Sequence, residues 1–150
     1  MAALGTRAAV LEMATAAVPG TFVDYTAACA TIKLVSAESD SDFTSFADAA
    51  AGGARTYTLE GTAVQDLATG SLWRKTFDTA TVGTDTPYKF WPNGKPAGGS
   101  PTSTQPVFSG NVTIVEPDGD WVGGDADKST TARFTFDFAW TCTAKPTIAP

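Results

Sequence analysis

The sequence predicts a mainly β fold with one flanking helix, and three observations carry that prediction. The stretch STTARFTFDFAWTC (129–142) sets Phe134, Phe136, Phe138 and Trp140 on one side and Arg133, Thr135, Asp137 and Ala139 on the other. That period of two is the pattern of a half-buried strand. The composition points the same way: 24 threonines stand with Val, Phe, Tyr and Trp as strand formers, and Gly, Pro, Asp and Ser punctuate them. Finally, 17% of residues are charged, too few for the solvent faces of a helical bundle, while 43% are apolar, enough for a core. A chain of 150 residues is most simply one domain, burying about 70% of its unfolded surface.

The elements follow in order. The opening MAALGTRAAVLEMATAAVPG has a basic residue and small apolar residues, but Glu12 interrupts the run. A secretory segment needs an unbroken apolar stretch, so residues 1–24 are expected to form an extended or partly helical arm outside a single domain, 25–150. ATIKLVSAE (30–38) reads as a first strand, with Ile32 and Leu34 on one face. In SDSDFTSFADAAAGG (39–53), Phe43, Phe46, Ala47 and Ala50 recur at helical spacing before a Gly-Gly stop, which fits a short helix or an irregular loop.

ARTYTLEGTAV (54–64) alternates again, with Tyr57, Leu59 and Ala63 facing one way and Thr58, Glu60 and Thr62 the other. In QDLATGSLWRKTFDTA (65–80) the alternation breaks, and Leu72, Trp73 and Phe77 gather on one side of a helix starting near Gly70-Ser71. TPYKFWPNGKP (86–96) is a strand ending in a Pro-Asn-Gly turn. GKPAGGSPTSTQP (94–106) has no periodicity and few large side chains, and is expected as a mobile projecting loop. VFSGNVTIVE (107–116) is a strand with Val112 and Ile114 on one face and Val115 on the other.

Several classes of chemistry are excluded. With no histidine in the chain, no Ser-His-Asp or Cys-His arrangement and no HExxH zinc site can be built from it. Cys29 and Cys142 are not a disulfide framework; they read as two reduced, buried thiols, with one bridge between the chain ends as the alternative. Gly94-Lys95 lacks a phosphate loop's upstream glycine, and Asn111-Val112-Thr113 is a glycosylation sequon inside a predicted strand, best explained by chance. A net charge of −6, with bases scattered singly except Arg74-Lys75, argues against ordinary nucleic-acid affinity. No segment is long and apolar enough to span a membrane as a helix.

EPDGDWVGGDAD (116–127) is the one dense cluster, five carboxylates around a tryptophan and three glycines. Its acids do not fall in the EF-hand order, because Trp121-Val122 intrude. Carboxylate pairs for glycoside hydrolysis carry no signal without geometry. Lying between two strands, the stretch reads as a hairpin connection whose Trp121 anchors it on its own domain or a neighbour. No enzyme activity, metal or cofactor is expected.

Taken together, RTYTLEGTAVQD (55–66), GSLWRKTFD (70–78), PVFSGNVTIVEPDGDWVGGDAD (106–127) and TTARFTFDFAW (130–140) resemble the major tail tube proteins of long-tailed bacteriophages, those of actinobacterial hosts in particular. The resemblance covers roughly residues 25–150. It implies a β-sandwich or partly closed barrel flanked by a helix, self-assembling through ring-wide β-barrels into stacked hexameric rings. Such a tube belongs to the virion tail, is made in the host cytoplasm, meets other tail proteins at its ends, and passes DNA without binding it specifically. No membrane is involved. On that reading Glu60 and Asp137 are candidate lumen acids, being polar-face residues of half-apolar strands. Asp118, Asp120, Trp121, Asp125 and Asp127 are candidate assembly residues of the hairpin loop. The arm, the 94–106 loop and the tail from Lys145 are expected to lie outside the core and to contact neighbouring copies. The alternative is a sugar- or cell-surface-binding β-sandwich module that uses exposed tryptophans.

Overall fold

A computed structural model describes residues 7–14, 21–38, 45–51, 53, 55–78 and 82–150. Among them, eight strands join one antiparallel sheet: β1 (Val10–Ala14), β2 (Phe22–Asp24), β3 (Cys29–Glu38), β4 (Arg55–Val64), β5 (Asp85–Trp91), β6 (Val107–Thr113), β7 (Thr135–Cys142) and β8 (Thr147–Ala149). Their order is β2-β1-β5-β6-β7-β4-β3, with β8 beside β6. The mainly β class is as the sequence predicts, and the sheet is not closed into a barrel. Two short α-helices, α1 (Phe46–Ala50) and α2 (Leu72–Phe77), and one 3-10 turn, Thr26–Ala28, complete the described elements.

β7 is the centre of the core. Phe136, Phe138, Trp140 and Cys142 are buried and alternate with exposed neighbours. Burying each of the three aromatics stabilises the fold by roughly 1.5–3 kcal/mol. On β4, Leu59 and Ala63 bury beside them, and Thr58, Glu60 and Thr62 take the other face. Gly61 is required there: the register shifts between Cys29 and Thr31, and a Cβ on Gly61 would run into the Thr31 carbonyl. A wide sheet twists, and Leu11 and Met13 of β1 share one cluster with Leu59 and Ala63 of β4. α2 begins as predicted, with Ser71 as N-cap accepting from the Arg74 N–H at 3.3 Å. Leu72 and Trp73 are buried against the sheet, while Phe77 is half exposed and stacks on Trp73 at 5.3 Å.

The structure departs from the sequence reading at several points. The described part of segment 1–24, residues 7–14 and 21–24, is not outside the core: β1 lies between β2 and β5, and Leu11 and Met13 are fully buried. The interruption at Glu12 is strand alternation. Leu11 and Met13 point into the core opposite Phe90 and Tyr88, and Glu12 takes the reverse face. The short helix expected within 39–53 is α1, on which Phe46 is 98% exposed; Phe43 lies outside the described residues. Phe134 precedes β7 and is half exposed against Gly124, because the buried alternation begins only at Phe136. The C-terminal tail forms β8, which lies outside the core as expected but is paired with β6 of its own sheet.

The 94–106 segment leaves the sheet after β5. Asn93 Nδ2 donates to the Thr104 carbonyl at 2.9 Å, and Lys95 Nζ reaches the Glu12 carboxylate at 3.1 Å. No helix among the described residues is long and apolar enough to cross a membrane.

Candidate functional site

Alternation along β3, β4 and β7 sends one set of side chains to the core and the other to an outer face. Glu60 pairs in register with Lys33 on one side and Ala139 on the other, and Thr62 lies opposite Asp137. The Thr62 hydroxyl donates to Asp137 Oδ1 at 2.7 Å. Lys33 Nζ stands 3.9 Å from Glu60 Oε1, a largely exposed ion pair of small energetic weight.

The connection from β6 to β7 lies over this face. Residues 115–118 form one wall of a groove of about 450 Å³ whose floor holds Lys33, Glu60 and Asp137. A neighbouring hollow of about 330 Å³ is lined by Asp118, Asp120, Thr135 and Asp137. Two groups of residues far apart in sequence, Glu60 with Asp137 and Asp118 with Asp120, therefore share one acidic surface, joined by Glu116 and opposed by Lys33. Asp125 and Asp127 lie elsewhere, in a hollow with Gln65 and Arg133. Asp127 Oδ1 accepts from the Ser129 N–H at 2.8 Å, closing a turn. Among the described residues, no group of three or more Cys, Asp or Glu is arranged to hold a metal ion.

Trp121 anchors the loop on its own domain. Its carbonyl accepts from Trp73 Nε1 at 2.8 Å, and its own Nε1 donates to Thr76 Oγ1 at 3.1 Å. Its ring lies 5.9 Å from Trp73 and 5.6 Å from Phe77. Two residues further on, Gln65 grips Gly123: Nε2 donates to its carbonyl at 3.0 Å, and Oε1 accepts from its N–H at 2.6 Å. Nε2 also donates to the Thr135 carbonyl at 2.8 Å. Trp121 was legible in the sequence as an anchor. Gln65 and Thr76 were not, since a polar residue after a strand or within a helix carries no sign of its distant partner.

The titratable groups whose pKa is shifted lie away from the groove. Burial, then the Asp24 charge, pushes the Cys29 thiol up to about 11. Burial raises Cys142 and Tyr88, whose thiol and hydroxyl meet at 3.7 Å, and also Tyr25. Burial lowers Lys75, which donates to the Ala14 carbonyl at 2.8 Å and sits over the Tyr25 ring. Cys29 and Cys142 are both free thiols. Trp73, Trp91 and Trp140 are buried and Trp121 is half buried, so three of the four tryptophans offer no open face for stacking on a sugar. Comparison with models of known families, with curated proteins and with solved structures found no match.

Proposed function

We propose that this chain is a structural virion protein that assembles with copies of itself into stacked, six-membered rings of a phage tail tube. The single observation that carries this reading is the acidic outer face of β3, β4 and β7 beside the unpaired edge of β3. That face offers Glu60, Glu116, Asp118 and Asp137 against Lys33. A surface of this sign repels a polyanion instead of retaining it, as a conduit for DNA requires. β3 is ten residues long and pairs only with β4 among the described residues. An edge of that length is a template for another strand, and a neighbouring copy supplies one in a ring-wide sheet. The sequence resemblance over 25–150 supports the same assignment, with other tail proteins meeting the tube at its ends.

Negative-stain microscopy of concentrated protein tests the proposal. Rings or hollow tubes of uniform width are expected. Monomers or trimers at every concentration, retained on immobilised glycans, would replace it with the cell-surface-binding reading.

A further inference from the structure

On the sheet face opposite the main core, β1 and β5 carry a second buried cluster built around a carboxylate. Trp91 follows Phe90 on β5 and so points away from the core that Phe90 enters. Its Nε1 donates to Glu12 Oε1 at 2.8 Å. Glu12 Oε2 accepts from Lys95 Nζ at 3.1 Å. The Glu12 side chain is only 9% exposed, whereas Lys95 is 41% exposed and stands at the root of the 94–106 segment. A carboxylate this buried is costly without a cation and further hydrogen bonds. Here the cation comes from the loop.

Among the described residues, the charged register partners of Glu12 are Asp24 on β2 and Lys89 on β5. Asp24 Oδ1 accepts from the Thr26 N–H at 2.8 Å, and the Lys89 ammonium lies 4.5 Å from the centre of the Phe22 ring. Beyond the Glu12–Lys95 ion pair, the loop is held at its base by Asn93 and Gln105, and towards its tip by short-range bonds such as Gly99 N–H to the Pro96 carbonyl at 2.9 Å.

We propose that Glu12 and Lys95 form a latch that holds the 94–106 loop down on the reverse face of β1, so that the loop has a closed state and an open one. Breaking the pair releases the loop while the main core stays folded. In the closed state the ammonium compensates the carboxylate that also accepts from Trp91 Nε1. In the open state both become accessible to solvent. This inference rests on the ion pair alone and stands whether or not the chain builds a tube.

Hydrogen exchange followed by mass spectrometry on the full chain tests it. Lys95→Met is expected to raise exchange across 96–105 by about tenfold or more, the range of a local opening, with protection of β7 unchanged. Lys95→Arg should restore closure, since a guanidinium keeps the charge and can reach the carboxylate. Glu12→Gln removes the pair without stranding a buried charge and keeps an acceptor for Trp91 Nε1. It should open the loop too, and it decides the matter alone if Lys95→Met does not fold. Lys89→Met should leave the loop as in the wild type. Wild-type exchange in the loop of either latch variant would overturn the proposal, as would failure of Lys95→Arg to restore closure. A rise spread evenly over β7 and the loop, or opening by Lys89→Met, would overturn it as well.

Discussion

The side-chain amide of Gln65 binds the backbone of Gly123 in both directions, donating to its carbonyl at 3.0 Å and accepting from its N–H at 2.6 Å. An amide side chain here does what a strand neighbour does in a ladder. Gly123 has φ +85°, a left-handed conformation that glycine adopts without strain. With Trp121 docked on α2, this pairing fixes the path by which the acidic loop leaves the outer face of the sheet.

Gln65→Ala should therefore cost about 1–3 kcal/mol, the range for leaving part-buried backbone groups without partners. Gln65→Glu should not rescue it. A carboxylate still accepts from Gly123 N–H but sets charge against the Gly123 and Thr135 carbonyls. Urea melts give the cost, and raised hydrogen exchange confined to 119–127 should locate it.

Leu11→Ala tests the place of β1. Leu11 is fully buried, and truncating such a side chain costs about 2–5 kcal/mol. Deleting residues 1–14 removes the strand between β2 and β5 and should abolish the cooperative thermal transition. A truncated protein that melts like the full chain would show that β1 is dispensable.

Phe136→Ala should cost about 3–5 kcal/mol, the usual penalty for a buried aromatic. Asp137→Asn should cost far less, because its partner Thr62 can still donate to the amide oxygen. Thermal melts rank the two, and the reverse order would invert the assignment of strand faces.

Stability should fall as the solution becomes alkaline. Cys29 has its ordinary value of 9.0 in the unfolded chain and about 11 in the fold, so the native state keeps a proton that the unfolded state loses between those limits. Its contribution is complete below 9.0 and is lost progressively up to about 11. Cys142, Tyr25 and Tyr88 are raised by burial and act in the same direction. Lys75 is lowered by burial and opposes them, since between its lowered value and 10.5 the unfolded chain holds the extra proton. Four groups act against one. Urea midpoints at about pH 8 and about pH 10.5, around the ordinary thiol and tyrosine range, should fall, and Cys29→Ser should make the fall shallower.

The acidic face gives a charge prediction. The wild-type protein should pass through a column of immobilised duplex DNA at low salt. Joint replacement of Glu60 and Asp137 by lysine should retard it, and the retention should fade as screening shortens to about 8 Å at physiological ionic strength. Equal elution of the two proteins in low salt would remove the electrostatic argument and leave the assembly proposal to microscopy.

The strands β4 and β7, the N-terminus of α2 and the turn after β5 were all legible in the sequence. Each is a local pattern: alternation over eight or ten residues, a serine before an aromatic helix, or Asn-Gly after a strand. The five residues of β1 are apolar except Glu12, and the last four are all buried, so no polar-apolar alternation was there to separate a core strand from an arm. Tertiary structure alone decided that β1 sits inside the sheet, because pairing with β2 and β5 supplies the neighbours that bury Leu11 and Met13. It also decided which acids belong together. Glu60 and Asp137 were readable as outer-face residues, but Asp118 and Asp120 join them, and Asp125 and Asp127 do not, only because of how the loop is carried over the sheet. That path depends on Trp121 meeting Thr76 and on Gln65 meeting Gly123, contacts between residues 45 and 58 positions apart. Periodicity reports which face a residue takes within its own strand. Contacts at such separations depend on the register and twist of the assembled sheet, which no local pattern encodes.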